Sequence, residues 1–415
     1  MRIVLVIGIV VAVLSGCTST GSTSSVPTAD PPMATGTPKT TVGPSPTPSV
    51  PAFSPAVASS TPAGPTLTTS PSPLPPVSPD PTATPMPSVP PPLDQARRMD
   101  AIGSSGTRFV LAGATTDAGD GSRDALAFWT SQDGFTWTEG SERSSGVATE
   151  FAFDPTGGGI AVGYEGAGAA VWATGDGIEW SRVPDQPALR PLDGEASIRL
   201  RHVARADGGY IAVGESGPWA VILMSTDGLT WSRSSATPSL TRVTLESIAG
   251  AQGGFVLTGH ARSPWRNAIW YSADGAAWSE IRDVPQERGR YGNSGIVVSG
   301  PQGWLLKSQT YEGDGLWVSQ DGEDWTFIAE PGDPADQIAA LVPAPGRYVV
   351  VEPSGRCSSG VWTSPDARAW ACAESAAESA TAPDGLIYDW KFAASDRTIV
   401  GIRETGPPWI ADLGD

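Results

Sequence analysis

The stretch that decides the fold of this chain is WTSQDGFTW, residues 129–137, because it recurs along the sequence. Five further copies read WATGDGIEW (172–180), LMSTDGLTW (223–231), WYSADGAAW (270–278), WVSQDGEDW (317–325) and WTSPDARAW (362–370). The aspartates of the six boxes are Asp133, Asp176, Asp227, Asp274, Asp321 and Asp366, and neighbours are 43–51 residues apart. A repeat of this length is typical of the four-stranded blade of a β-propeller. The sequence therefore predicts an all-β propeller for residues 94–415.

Each box is flanked by segments that read as β-strands. A β-branched run precedes the box, as in FVLAG (109–113) and YIAVG (210–214), and an inner-strand candidate such as LRHVARA (200–206) comes before that run. Within the box, Asp-Gly favours a hairpin, because Gly adopts positive φ and the Asp carboxylate accepts backbone N–H groups. The closing Trp is expected to pack its ring between adjacent blades. The unit is therefore strand, turn, strand, loop, strand, box and strand.

The number of blades has two possible values. Six boxes predict six blades, whereas IYDWKFA (387–393), TIVGI (398–402) and PWIADL (408–413) read as three more strands after the last box. We expect seven four-stranded antiparallel blades, with six as the alternative. In the seven-bladed arrangement, residues just before Met99 are expected to supply the outer strand of the seventh blade. Such a closure of the ring removes two exposed sheet edges.

The box resembles the Asp-box, or bacterial neuraminidase repeat, of sialidases, some glycosidases and photosystem II assembly factors. The pattern usual in that family, S-x-D-x-G-x-T-W, is one residue longer than S-x-D-G-x-x-W here, and Ala367 replaces the Gly of the sixth copy. The resemblance covers nearly all of residues 94–415 and implies a sialidase-like fold. It also implies that the boxes are structural hairpins on the face away from the active site, so it says little about function.

The N-terminus reads as an export signal with a lipid attachment site. Arg2 precedes an apolar run, residues 3–14, that is too short to span a bilayer core of ~30 Å as a stable helix. Residues 1–16 are therefore predicted to be a signal peptide. Leu14-Ser15-Gly16-Cys17 resembles the bacterial lipobox, which implies acylation of Cys17 and anchoring on the extracytoplasmic face of the cell membrane. An ordinary signal peptide with a chance Cys, or a plain membrane anchor, is the alternative.

Residues 17–93 are rich in Pro, Ser and Thr and contain scarcely any aromatic residue. Such a segment cannot bury enough apolar surface to offset its chain entropy, so we expect a disordered, extended stalk. A stalk of this length would hold the propeller clear of the membrane.

Cysteine content and charge limit the chemistry further. With Cys17 assigned to lipid, Cys357 and Cys372 are expected to form a disulfide, because disulfides persist outside the cytoplasm. The net charge of −18 disfavours nucleic acid as a partner, because the chain repels phosphate groups. Only two histidines occur, with no close Cys-His pairing, so no metal site is assigned and no cofactor is expected. We expect a monomer.

Ligands of propellers usually contact the face on which the inner strands begin, opposite the boxes. Aligning the repeats places the following residues near the mouth of the central channel on that upper face: Asp100, Glu150, Arg201 or His202, Glu246, Ser294, Gln337 and Asp389. They predict either a hydrated, acidic entrance or a site for a cation or amine, in which clustered carboxylates have raised pKa values or hold a metal. The acidic loop from Asp117 to Asp124 could hold Ca²⁺, although a solvated turn is the simpler interpretation.

A sialidase would need more than this. The resemblance implies three arginines, a Tyr nucleophile backed by Glu, an Asp acid and an Arg-Ile-Pro motif, and the motif does not occur near the first blade. Residues that could serve these roles on the upper face are Arg199, Arg201, Arg262, Arg290, Tyr291 and Tyr388. Bidentate recognition of a carboxylate needs several guanidinium groups to converge, and spacing alone does not establish that.

The leading hypothesis is a cell-surface lipoprotein whose non-catalytic propeller binds a protein, peptide or glycan on its upper face. Tyr291 joins the mouth residues as a candidate contact. One alternative is a secreted glycoside hydrolase similar to exo-sialidases, and another is an assembly factor for a membrane complex. An export signal, a stalk and a repeat domain without an assembled catalytic set favour the first hypothesis.

Overall fold

The computed structural model describes residues 93–116, 124–234, 240, 243–262, 265–281, 295–309, 314–331, 338–352, 356–373 and 389–414. All of them belong to the structural unit Asp80–Asp415. The predicted signal peptide, Cys17 and nearly all of the predicted stalk lie outside the described residues, as does the acidic loop at 117–123, so these features remain predictions. Within the described residues, no helix is long and apolar enough to cross a membrane.

The described residues form seven antiparallel sheets and two 3₁₀ turns, Leu93–Gln95 and Pro187–Leu189, without an α-helix. The innermost strands are β1 (Ala96–Ser104), β5 (Val147–Phe153), β9 (Arg199–Ala206), β13 (Val243–Ala251), β17 (Ile296–Gly300), β21 (Ala340–Ala344) and β25 (Lys391–Ala394). The second strands are β2 (Phe109–Thr116), β6 (Gly159–Glu165), β10 (Gly209–Ser216), β14 (Gly254–Arg262), β18 (Gly303–Gln309), β22 (Arg347–Val351) and β26 (Thr398–Ile402).

In the first six sheets, the boxes join the third strand to the fourth. The third strands are β3 (Asp124–Ser131), β7 (Gly168–Thr174), β11 (Trp219–Ser225), β15 (Trp265–Ser272), β19 (Asp314–Ser319), β23 (Val361–Ser364) and β27 (Trp409–Asp412). The fourth strands are β4 (Thr138–Glu139), β8 (Trp180–Arg182), β12 (Ser232–Arg233), β16 (Ser279–Ile281), β20 (Thr326–Ile328) and β24 (Ala371–Cys372). Six sheets have four strands and the described part of the seventh has three, so the prediction of seven blades is confirmed.

The sheets close into a ring around a central channel. Each innermost strand contacts the innermost strand of the next blade, and β25 contacts β1. Seven apolar clusters fill the gaps, each joining two neighbouring blades. Phe109 and Trp129 of the first blade, for example, pack with Val400 and Ile410 of the last. Stacking in a circle thus buries the apolar faces that no single blade can shield.

The ring has two different faces. Successive strands of a blade are antiparallel, so the boxes share one face with the turns that join the first and second strands. In the fourth blade, Tyr271 beside the box donates from its hydroxyl to the carbonyl of Gly253 in that turn, at 2.7 Å. We call this side the box face. The innermost strands begin on the opposite, upper face, and the opening of the channel there is the upper mouth.

The boxes form the predicted hairpins between the third and fourth strands. In the third blade, the backbone N–H groups of Leu229 and Thr230 donate to Asp227 Oδ1 at 2.8 and 2.7 Å. Gly228 has a φ of 74°, and its N–H donates to Ser225 Oγ at 2.8 Å. The hydrogen bond from Thr230, followed by that from Leu229, lowers the pKa of Asp227. The carboxylate therefore holds the turn in its ionised form.

The closing tryptophan packs between blades, as predicted. Four of them, Trp137, Trp180, Trp231 and Trp278, are only 3–5% exposed. In four boxes the Nε1–H also donates to the carbonyl of the box Gly. The sixth box has Ala367 at a φ of 58°, so the turn persists without Gly. Nε1 of its Trp370 is buried without a hydrogen-bond partner among the described residues, and so is Nε1 of Trp180 in the second box, which keeps its Gly.

The residues before Met99 do not lie where the sequence analysis placed them. Those that the structure describes, 93–98, form the turn Leu93–Gln95 and the start of β1, the innermost strand of the first blade. They are not the outer strand of the seventh blade. Packing closes the ring instead: Leu93 joins the cluster of the first and last blades, and the Met99 N–H donates to the Glu404 carbonyl at 2.9 Å.

Candidate functional site

The innermost strands of the first four blades carry the same irregularity. Their pairing with the second strand skips a residue, which is Asp100 in β1, Thr149 in β5, Arg201 in β9 and Glu246 in β13, and β1 skips Arg97 as well. Such a β-bulge leaves the extra residue unpaired in the ladder and re-aims its side chain. The last three blades pair without a register shift in the part that the structure describes. Three predicted mouth residues are therefore bulge residues.

A glycine on the second strand makes room for each bulge. The glycines paired beside the bulges are Gly113, Gly163, Gly214 and Gly259. A Cβ on any of them would lie closer than 3.0 Å to a carbonyl oxygen of the innermost strand, a separation that real Cβ atoms essentially never show. These glycines end the runs FVLAG, GIAVG, YIAVG and FVLTG. The recurring Gly thus marks where an inner strand delivers a side chain to the upper mouth.

Charged side chains of the first and last blades meet at the upper mouth. Arg98 donates from Nε and Nη2 to the two carboxylate oxygens of Asp100, at 2.5 and 3.1 Å. Lys391, the first residue of β25, donates from Nζ to the Asp100 carbonyl. Desolvation by the surrounding strands lowers the pKa of Lys391, while the carboxylates of Asp100 and Glu150 oppose this shift. The ammonium group therefore lies within the field of both carboxylates.

Glu150 links the second and third blades. Its Oε2 accepts the backbone N–H of Val203 at 2.6 Å and lies 3.4 Å from Nδ1 of His202. On the same strand as His202, Arg201 donates from Nη2 to Glu215 at 2.9 Å. Both side chains of the Arg201–Glu215 pair are well exposed, so the pair adds little to stability. Its main effect is to order charges at the rim of the mouth.

A side pocket of about 470 Å³ opens beside the mouth, among the third, fourth and fifth blades. It is lined by Arg201, His202, Glu215, Thr244, Leu245, Glu246 and Ile296. Oε1 of Glu246 lies 2.7 Å from Nδ1 of His260. Ile296 is 37% exposed and supplies an apolar wall. Both histidines of the chain thus lie on the upper face, each beside a glutamate.

The prediction of clustered, metal-binding carboxylates is not supported by this arrangement. Basic partners from the chain itself lie beside three of the carboxylates, in the pairs Asp100–Arg98, Glu150–His202 and Glu246–His260. Among the described residues, no group of three His, Cys, Asp or Glu side chains could hold a metal ion. Asp389 is exposed and lines neither the side pocket nor the channel. Tyr291, Ser294 and Gln337 lie outside the described residues.

The arginines considered for a sialidase-like site do not converge in the described part of the chain. Cζ of Arg199 lies 4.5 Å from the ring centroid of Tyr164, and Arg201 pairs with Glu215. Arg290 and Tyr388 lie outside the described residues, and so does the side chain of Arg262. Among the described residues, two of these arginines, Arg199 and Arg201, have guanidinium groups that could bind a ligand carboxylate, and both already contact another side chain.

A larger cavity occupies the box-face half of the channel. Its volume is about 700 Å³, and all seven innermost strands contribute to its lining, together with turns that follow them. The residues there are mainly small, as in 103–106, 249–251 and 298–300. Small side chains leave this half of the channel open, whereas long charged side chains converge on the upper mouth.

Sequence reasoning missed both this cavity and several mouth residues. Arg98, Glu215, His260 and Lys391 became candidates only through their partners in space. Two signals were present in the sequence. The repeated Gly of the second strand marks the bulges, and the small residues that end most inner strands mark the cavity.

No family model and no curated protein matches the chain. Among solved structures, YCF48 bound to D1 peptide is 16% identical, with a TM-score of 0.40 over 65% of this chain and 79% of that one. Virginiamycin B lyase from Staphylococcus aureus is 10% identical, with a TM-score of 0.47 over 75% and 93%. Penicillium chrysogenum α-L-arabinanase complexed with arabinobiose is 13% identical, with a TM-score of 0.39 over 62% and 88%. Binding proteins and enzymes thus both occur among similar structures, and the similarity concerns the fold alone.

Proposed function

We propose that this chain is a non-catalytic binding module that holds a protein or peptide partner at its upper mouth. The observation that supports the proposal is the series of bulges in the first four blades, whose extra residues include Asp100, Arg201 and Glu246. Bulges are over-represented where a strand must re-aim a side chain beside a functional site. The mouth therefore has the character of a built recognition surface.

Charge balance at the mouth favours a macromolecular partner. Carboxylates and basic groups alternate around the opening, as in the pairs Arg98–Asp100 and Arg201–Glu215. A surface that carries both signs complements a partner that also carries both signs, and the fixed pattern discriminates against wrong partners. Proteins and charged peptides have that property. A glycoside substrate would instead need a separate acid and a nucleophile or base around its bond.

The proposed binding can be tested by cross-linking the full-length protein to its partner on intact cells. The combined variant Arg201→Ala with Glu246→Gln should lower partner capture about tenfold. The matched control is Arg368→Ala with Glu323→Gln, which makes the same changes at exposed positions of the box face. Capture should be unchanged in the control and should weaken at high salt, since rim charges are screened. Equal capture by both variants would contradict the proposal.

The rival function is a surface glycosidase. A panel of fluorogenic glycosides, including a sialoside, tests it on the same protein preparations. Turnover that is abolished by Arg201→Ala, without any captured partner, would replace the binding proposal with the enzymatic one. Capture of subunits of one membrane complex would narrow the proposal to an assembly factor.

We also propose that the module is lipid-anchored on the extracytoplasmic face of the membrane through Cys17. The support is the apolar run followed by Leu14-Ser15-Gly16-Cys17. Two acyl chains on one Cys suffice for stable anchoring, whereas a single chain is marginal. Cys17→Ser should move the protein out of the membrane fraction, while Cys357→Ser should not. Retention of the Cys17→Ser variant in membranes would overturn lipid anchoring and leave the binding proposal intact.

A further inference from the structure

We propose that the box-face half of the channel is a second binding site, and that its ligand is an extended, uncharged stretch of peptide. The second halves of the innermost strands form most of this site, which shares Glu150 and Ile296 with the region of the upper mouth. Its volume of about 700 Å³ lies within the ~300–1,000 Å³ typical of ligand pockets. The cavity is therefore large enough for several residues of an extended chain.

The few charged side chains that line the cavity indicate which class of ligand it would bind. Three charged residues occur among the described residues that line the cavity: Glu150, Asp154 and Arg205. Oδ1 of Asp154 accepts the N–H of Thr156 at 2.8 Å, and Cζ of Arg205 lies 5.7 Å from the ring centroid of Tyr210. These charges are already engaged, so a charged ligand would lose its hydration without gaining a partner. An uncharged ligand avoids that cost.

The backbone of the channel wall supplies hydrogen-bonding groups. Each innermost strand is the last strand of its sheet on the channel side, so its inner edge is not paired with another strand. An unpaired strand edge presents N–H and C=O groups that an extended peptide can bind. Seven such edges surround the cavity. Side chains of neighbouring blades already bond some of their groups, namely the N–H of Val203, both groups of Val297 and the carbonyl of Ala249, so a peptide would use the others. A peptide backbone can use these groups, whereas an acyl chain of the same width cannot.

Small apolar side chains line the spaces between the strand edges. Ala251 and Ala344, from two different blades, are partly exposed there, and Ile102 and Ile248 present only a small part of their surface to the cavity. They leave room for the side chains of residues such as alanine and valine, whose burial is favourable. A ligand that matches this lining carries amide groups and small apolar side chains in alternation, which is the chemistry of an uncharged extended peptide.

The probe for this site is an acetylated, amidated pentapeptide of alanine and valine with a central photoreactive diazirine analogue of leucine. A matched probe carries lysine and glutamate in place of the two valines. Irradiation with the full-length protein, followed by peptide mapping, should attach the uncharged probe to residues 102–106 or 247–252. The charged probe should label these residues about tenfold less. A probe that labels the upper mouth alone, or equal labelling by both probes, would overturn the proposal.

A filled-cavity variant tests the location. Ala344→Phe should reduce labelling by the uncharged probe about tenfold, while Ala276→Phe, at an exposed box tip, should not. Ser299→Phe gives a second obstruction from another blade, so that a folding defect in one variant does not decide the result. Thermal melting identifies which variants are folded. Undiminished labelling in the folded cavity variants would overturn the proposal, whatever the outcome of partner capture at the upper mouth.

Discussion

The first four blades and the last three arise from the same repeat, yet they treat one position differently. In the first four, a glycine of the second strand lets the innermost strand bulge. In the last three, Ser308, Glu352 and Arg403 occupy the corresponding place, and the described inner strands pair regularly. Glu352 is buried and accepts the Nε1–H of Trp362 at 2.8 Å. Where a side chain replaces the glycine, the position thus serves packing.

The bulged and the regular blades therefore make different contributions to the propeller. The bulged blades supply most of the charged groups of the upper mouth, whereas the regular blades close the ring. The sixth blade, with its altered box, also carries the disulfide between Cys357 and Cys372, which joins its outer strand to the loop before its third strand. A covalent link therefore lies in the blade whose box has Ala367 in place of Gly.

The largest effect on the free energy of unfolding is expected from replacing the closing tryptophan of a box, compared between a bulged blade and a regular blade. Trp231 is 5% exposed, and its Nε1–H donates to the Gly228 carbonyl at 3.0 Å. Trp231→Ala should lower the free energy of unfolding by ~3–5 kcal/mol, because it opens a cavity between two blades. Trp370→Ala should cost less, because that ring is partly buried and its Nε1 is unpartnered. Urea unfolding measures both, and equal losses would show that the two boxes are equivalent.

The disulfide is expected to be the next largest contribution. It joins residues 15 apart in sequence, and cross-linking a loop of that length contributes ~3 kcal/mol. The double variant Cys357→Ser with Cys372→Ser should therefore unfold at lower urea than the parent protein. Reductant should destabilise the parent and leave the double variant unaffected. Mass spectrometry that finds two free thiols in the purified protein would contradict the expectation.

The glycine that permits the bulge gives a smaller effect on stability and a direct test of the comparison. Gly163→Ala places a Cβ against the Val147 carbonyl, and overpacking of this kind costs ~1–3 kcal/mol. The control Gly208→Ala meets nothing within 4 Å, so its effect should stay within about 0.5 kcal/mol. Gly163→Ala should also weaken partner capture, because Glu150 lies in the displaced strand. Normal capture would show that the bulge is dispensable.

The smallest difference between the two groups is expected from the box aspartates. Hydrogen bonds from backbone N–H groups lower the pKa of Asp227 in the third blade and of Asp366 in the sixth. The N–H of Thr230 contributes most for Asp227, and the N–H of Ala369 contributes most for Asp366. A carboxyl whose pKa is lowered by folding stabilises the protein above its unfolded pKa of about 3.9, and this stabilisation is lost as the pH falls through the folded pKa. The melting temperature should therefore drop below about pH 4.

Two substitutions test this acid effect. Asp227→Asn and Asp366→Asn should each make the drop in melting temperature at acid pH shallower, and by similar amounts, because the same turn occurs in both groups of blades. A pH profile that neither variant changes would show that other carboxylates control acid unfolding.

Much of the fold followed from local signals. The spacing of Asp133 and its five equivalents predicted blades, because hairpin chemistry and blade length both act within one repeat. The three strand-like segments from residue 387 onward predicted the seventh blade for the same reason. The place of residues 93–98 was predicted wrongly, since ring closure depends on which strand lies beside the first blade in space. The candidate site was predicted in part, because register named Asp100, Glu150, His202 and Glu246 but not Arg98, Glu215, His260 or Lys391.

The sequence by itself determined the repeat, the hairpin at each box and the tryptophans between blades, because these depend on neighbours within a few residues. The tertiary structure alone decided which charges meet. Lys391 approaches Asp100 across 291 positions of the chain, and His202 approaches Glu150 across 52 positions and a blade boundary. It also decided that small residues from seven separate strands enclose one cavity. Closure of the ring brings these groups together, and no local rule encodes a distance measured across it.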